Sequence, residues 1–310
     1  MSISPIKRVT SGQRVLEGAG VPLFRAFGHD LTDETDPFLM LDHFRSDDGR
    51  GMSAGFPWHP HRGIETISYI IAGGIDHEDS LGNKGSLTSG DIQWMTAGSG
   101  IIHQEMPKNG TTGAIHGFQL WANLPASDKM IDPRYQDIRS EEIPDITDDD
   151  GTKVRIIAGQ FWGETGPVIG IATNPRYLDV EVPPHTTRSL GMNLDHHAFA
   201  YVFEGSGEFK AASQPMPAPT EYVTDEGVTG VLTAHPVENR NLILFDTGDE
   251  IRVSTRDLGM RFLLVSGRPL REPVAWHGPI VMNTAEELQT AFREYQNGTF
   301  LKHATPSRTD

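Results

Sequence analysis

Two short pairs of residues carry the strongest chemical signal in the chain: His59 and His61 around a proline, and His103 and Glu105 around a glutamine. Side chains at i and i+2 of a β-strand leave the same face, so each pair can present both members in one direction. Two such pairs on neighbouring strands of one barrel would put three imidazoles and a carboxylate around a point. Nitrogen and oxygen donors of this kind suit a divalent transition metal, and four protein donors on an ion that prefers six leave about two positions open. The chain has no cysteine, which excludes thiolate ligands, a thiol nucleophile and a disulfide framework. Glu65 competes with Glu105 for the carboxylate role, because it shares parity with His61 if the strand runs straight.

The segment between the pairs has to fold back on itself to bring them together, and its composition says that it does. The apolar run Ile67–Ile71 is broken by Ala72-Gly73-Gly74, and Leu81-Gly82-Asn83-Lys84-Gly85 is strong turn chemistry. Ser89-Gly90-Asp91 turns into Ile92–Met95, and Ala97–Gly100 turns into Ile101–Met106. This is a run of antiparallel hairpins. Gly113–Leu124 reads as a central strand on which Gln119 and Trp121 share parity with Ile115, while His116 faces the other way as a structural residue. Asp42 and His43 are expected to hydrogen-bond within the sheet. Phe56, Trp58 and Met95 are candidates for the apolar walls of a pocket.

The pattern H-x-H-x3-E followed by G-x7-G-x-G-x2-H resembles the two core motifs of the cupin superfamily. The finer wording resembles the pirin family within it: Met40-Leu41-Asp42-His43-Phe44, His59-Pro60-His61-Arg62-Gly63, Asp79-Ser80-Leu81-Gly82-Asn83 and the run from Gln93 to His103. The resemblance extends from about Arg8 to Asn283. It implies an all-β fold of two cupin (jelly-roll) β-barrels. It also implies that His59, His61, His103 and Glu105 bind one divalent metal, with Fe(II) expected and Mn, Ni, Cu or Zn compatible with the same donors. Glu65 would then make hydrogen bonds behind the ligands. The activity it implies is quercetin 2,3-dioxygenase, with a flavonol and O2 as substrates and Glu105 as the catalytic acceptor of the hydroxyl proton. It equally implies an alternative, an iron-binding regulator that acts through protein partners without turnover.

The remaining sequence sets boundaries. Residues 1–140 are expected to form the metal-binding barrel, and 150–283 a second barrel without metal ligands, since Pro184-His185-Thr186 and Asp246-Thr247-Gly248-Asp249 stand where the donors would be. The acidic stretch Glu141–Gly151 reads as a connection, and a Pro-rich surface loop is expected between Lys210 and Gly230. Residues 284–310 hold a short C-terminal helix, with Thr284 and Glu287 forming a capping box and Leu288, Ala291, Phe292 and Tyr295 on one face. A formal charge of −16 repels phosphate backbones and argues against direct nucleic-acid binding. Neither a secretory leader nor a membrane-spanning apolar run is visible, so a cytoplasmic protein is expected.

Overall fold

The computed structural model describes residues 2–49, 51–108, 114–211, 221–224, 227–228 and 234–302. In chain order, the first strands are β1 (Ile6–Ser11), β2 (Gln13–Glu17), β3 (Val21–Phe27) and, after the single-turn helix α1 (Thr32–Thr35), β4 (Phe38–Ser46). Next come β5 (Phe56–His61), β6 (Ile64–Ala72), β7 (Gly74–Asp79), β8 (Lys84–Thr88), β9 (Ile92–Thr96), β10 (Ile101–Pro107), β11 (Ile115–Asn123) and β12 (Arg134–Ile138). Then follow β13 (Asp145–Thr147), β14 (Lys153–Ala158), β15 (Gln160–Phe161), β16 (Glu164–Thr165), β17 (Arg176–Val182), β18 (Thr187–Gly191) and β19 (His197–Lys210). The last are β20 (Glu221–Thr224), β21 (Gly227–Val228), β22 (Ala234–Glu238), β23 (Asn241–Phe245), β24 (Glu250–Gly267), β25 (Ala275–His277), β26 (Ile280–Met282) and the helix α2 (Ala285–Gln296).

The chain divides into two compact units, and neither is continuous in sequence. One gathers 14–25, 38–140 and 270–310; the other gathers 1–13, 26–37 and 141–269. These are not the contiguous segments 1–140, 150–283 and 284–310 expected from the sequence. The difference lies at the ends. Strand β1 pairs antiparallel with β23 and buries Ile6 and Val9 in the second unit's apolar cluster. Helix α2 buries Ala291 against Ile280 and Met282 of β26, with Leu288 and Phe292 alongside. A strand and an amphipathic helix go where they find a ladder and an apolar surface, and neither requirement respects sequence order. The expected capping box is present, with Glu287 N–H donating to Thr284 Oγ1 at 3.2 Å and Glu287 accepting from Thr284 N–H at 3.0 Å.

In the unit that contains the histidine pairs, two sheets face one another. The larger has the order β12-β9-β6-β11-β4-β3-β2 and the smaller β5-β10-β7-β8. Alternation decides what they enclose. On β10, Ile101, His103 and Glu105 are buried while Ile102 and Gln104 are partly exposed. Ile64, Met95, Ala97 and Ile101 pack together at one end of the interior. Phe44, Ile70, Ile75 and Leu87 fill the other. The region from Pro125 to Arg139 contributes edge strand β12 on β9, with Tyr135 opposite Met95.

The second unit is built on a sheet in the order β13-β14-β17-β24-β19-β23-β1-β20-β21, with β18 also on β24 and β22 on β19, and carries β15 and β16 as a separate two-stranded sheet. Its interior is apolar and aromatic: Phe209 meets Phe245 and Phe262 edge-on, at 5.5 and 5.3 Å between ring centroids. His185 lies at the surface, 71% exposed, and buried His196 meets Ser266 Oγ at 3.2 Å. The expected Pro-rich loop between Lys210 and Gly230 falls largely outside the described residues, apart from β20 and β21. Among the described residues, no helix is long and apolar enough to cross a membrane.

Candidate metal centre

Strands β5 and β10 run antiparallel with His59 directly opposite His103 and His61 opposite Ile101. The three rings converge, with centroid separations of 4.8 Å (His59–His61), 4.4 Å (His59–His103) and 5.0 Å (His61–His103). One ring nitrogen from each lies within 4.8 Å of the others. The sequence spacing thus brings together the three histidines it singled out.

Backbone carbonyls fix two of the rings. His59 Nδ1 lies 2.8 Å from Pro57 O and His61 Nδ1 lies 3.2 Å from Pro279 O. A carbonyl can only accept, so both rings carry their proton on Nδ1, and the Nε2 lone pairs are left for a ligand. Such a bond behind the ring is the usual partner of a metal-ligating histidine. His103 is 1% exposed, and among the described residues neither of its ring nitrogens has a hydrogen-bond partner. A buried polar atom left unpaired costs about 1–3 kcal/mol, so this ring is arranged for something other than a protein neighbour. Burial lowers the pKa of all three, and the neighbouring imidazoles lower His61 and His103 further. Neutral imidazoles with one ring nitrogen each within 4.8 Å of the others fit a divalent transition metal.

The carboxylates separate clearly. Glu105 projects from the same face of β10 as His103, and its Oε1 accepts from Ser68 Oγ at 2.9 Å across the barrel. It stands outside the 4.8 Å set formed by the histidines. Burial raises its pKa and the Ser68 hydroxyl pulls it partly back. Glu65 instead accepts from Thr96 Oγ1 at 2.7 Å, on the face of β6 opposite to Ser68. The straight-strand argument that would align Glu65 with His61 fails at Gly63. There the chain takes φ +76° between β5 and β6, and a Cβ would lie 2.0 Å from Val281 O. Only glycine tolerates this reversal and close approach.

The other candidates take structural positions. Asp42 receives both Arg25 Nε and an Arg25 terminal nitrogen, at 2.8 and 2.7 Å. His43 and His116 share a bond of 2.9 Å between their Nε2 atoms. Met95 is in the core, Phe56 packs beside the cluster around Phe44, and Trp58 is 47% exposed. Trp121, not assigned a role in the sequence, stands edge-on to His61 with centroids 5.1 Å apart.

Two supporting cations also escaped the sequence reading. Arg62, fully buried, donates to Ser99 O, Glu294 and Phe300 O at 2.7 Å each, with its guanidinium 4.2 Å above the Phe300 ring. Lys129 donates to Asn123 Oδ1, Gly63 O and Val281 O at 2.6, 2.8 and 3.1 Å. Both tie the turn after His61 to the C-terminal segment. The signal for Arg62 was its place in the motif His59-Pro60-His61-Arg62-Gly63; for Lys129 there was none.

The fold and site define a two-barrel cupin protein with one three-histidine centre compatible with a single metal ion. The chain matches the family model for pirin over residues 20–122 and that for the pirin C-terminal cupin domain over 177–301. It belongs to the pirin family. A pirin-like protein of Caulobacter vibrioides is 39% identical over 302 residues, covering 97% of this chain and 100% of the relative. A provisionally named quercetin 2,3-dioxygenase of Pseudomonas aeruginosa is 40% identical over 293 residues, covering 93% and 95%. The crystal structure of a quercetin 2,3-dioxygenase from Acinetobacter baumannii aligns with a TM-score of 0.83 at 28% identity, covering 96% of this chain and 98% of that one.

Proposed function

We propose that the protein is a metal-dependent dioxygenase that cleaves quercetin or a related flavonol with O2. His59, His61 and His103 hold the metal, Glu105 is the fourth donor, and Fe(II) is the ion. The observation that carries this reading is the convergence of three imidazoles, one ring nitrogen of each within 4.8 Å of the others, with both ring nitrogens of buried His103 unpartnered among the described residues. The relatives named for the same activity support it. A bound divalent ion would supply Lewis-acid polarisation of a substrate oxygen and a common site for both reactants.

The residues themselves do the rest. The bonds from Pro57 and Pro279 hold two rings in fixed orientation. Glu105, kept in place by Ser68, is a carboxylate within the barrel that can take the hydroxyl proton of an entering substrate. Trp121, partly exposed beside His61, gives a flat substrate an aromatic wall.

The test is anaerobic purification with metal analysis, followed by oxygen uptake on quercetin for the wild type and His61→Ala. Stoichiometric metal with uptake lost in the variant is expected. Metal-loaded wild type that turns over no quercetin would overturn the assignment.

A further inference from the structure

The proton count around one hydroxyl points to a group that reads the substrate. Ser68 Oγ lies 2.9 Å from Glu105 Oε1 and 2.7 Å from Gln119 Oε1, two acceptors for one hydroxyl. A serine has one proton to donate, and a metal-ligating carboxylate has none. With Glu105 in that role, the Ser68 proton belongs to Glu105. Ser68 Oγ can then only accept from Gln119, and the amide turns its NH2 to Ser68. The two ends of an amide exchange by a half-turn, so this direction follows from the network.

With that half-turn Gln119 Oε1, which lies 2.7 Å from Ser68 Oγ before it, faces away from Ser68. Its neighbour across to β4, Asp42, has both oxygens engaged by Arg25. Gln119 is itself partly exposed on the inner face of β11, two residues from Trp121, whose ring borders His61. An acceptor is therefore fixed on the wall that flanks the histidine cluster. Resting on the dioxygenase reading above, we propose that Gln119 is a substrate-positioning residue that accepts a hydrogen bond from a second hydroxyl of the substrate. Its orientation is set by Ser68 and Glu105. The site would thus favour polyhydroxylated aromatic substrates over those carrying the metal-binding hydroxyl alone.

Anaerobic titration of the metal-loaded protein with quercetin and with 3-hydroxyflavone tests this, read by the absorption change of the bound flavonol. Both ligands carry the 3-hydroxyl, and only quercetin has others. Gln119→Met keeps the length of the side chain and removes its acceptor. It is expected to weaken quercetin about tenfold, the scale of one hydrogen bond, and to leave 3-hydroxyflavone unchanged. Ser68→Ala, which leaves Gln119 present but unoriented, is expected to lower the same preference with metal still bound. Equal weakening of both ligands by Gln119→Met, or no change in quercetin binding, overturns the proposal while the dioxygenase reading stands. A preference unaltered in Ser68→Ala overturns the orienting role. Wild type that binds neither flavonol removes the underlying reading, and this one with it.

Discussion

His59 and His103 stand face to face on antiparallel strands, their ring centroids 4.4 Å apart. Among the described residues, neither ring nitrogen of His103 in the interior they create with His61 has a hydrogen-bond partner. Ligand binding is what compensates for it. An ion bound at 100 times its dissociation constant adds about 2.7 kcal/mol of stability. Metal-loaded protein is therefore expected to melt several degrees above chelator-treated protein. His103→Ala should lose both the metal and this difference in Tm, which metal analysis and calorimetry on the same sample will show.

The two glutamates are expected to respond oppositely. Glu105→Gln should weaken metal binding at least tenfold with little effect on the apo protein's Tm. Glu65→Gln should leave metal affinity unchanged and cost about 1 kcal/mol through its bond to Thr96. Metal competition and denaturant unfolding separate the two; a Glu65 variant that sheds metal would reassign the carboxylate.

Acidification should act late on the histidines. Their folded pKa values lie below the ordinary 6.5, so between 6.5 and those lower values the unfolded chain binds more protons than the folded one. Stability from this cluster is thus present above pH 6.5 and falls as pH drops below it. Metal affinity is expected to hold nearly level from pH 7.5 to 6.5 and to decline below, where the raised pKa of Glu105 adds to the loss. A metal-release curve centred above 6.5 would contradict this.

Lys129 is a buried cation with three oxygen acceptors. Burial draws its pKa down to about 7, but the three oxygens match the three donors of an ammonium. Lys129→Met removes the donors and strands the acceptors, with an expected cost of about 3 kcal/mol in urea unfolding. A variant as stable as the wild type would show that the bonds contribute nothing net.

How far the sequence reached depended on whether the information was local. Spacing of two and turn chemistry between the pairs were enough to place His59, His61 and His103 together, because parity and hairpins are short-range rules. The capping box at Thr284 was legible for the same reason. Glu65 could not be separated from Glu105 on spacing alone, since the decisive event is one glycine at φ +76°, which resets parity between the strands. Ser68 and Gln119 gave no signal. Each is one polar residue in a strand; Ser68 takes its meaning from Glu105, 37 residues away, and Gln119 from Ser68, 51 residues away. Membership of the chain ends was illegible because β1 and α2 choose partners by edge and surface rather than by order.

That last feature bears on synthesis. The histidine strands are complete early in translation, yet the unit that holds them also needs residues 270–310. His61 finds its carbonyl at Pro279, Lys129 one of its acceptors at Val281, and Arg62 its partners at Glu294 and Phe300. As the chain leaves the ribosome, nearly all of the other barrel is made before the metal-bearing one can close. A nascent chain halted at residue 140 would carry all three imidazoles and lack these contacts, so the histidine cluster reaches its final surroundings only when the C-terminal segment has been made.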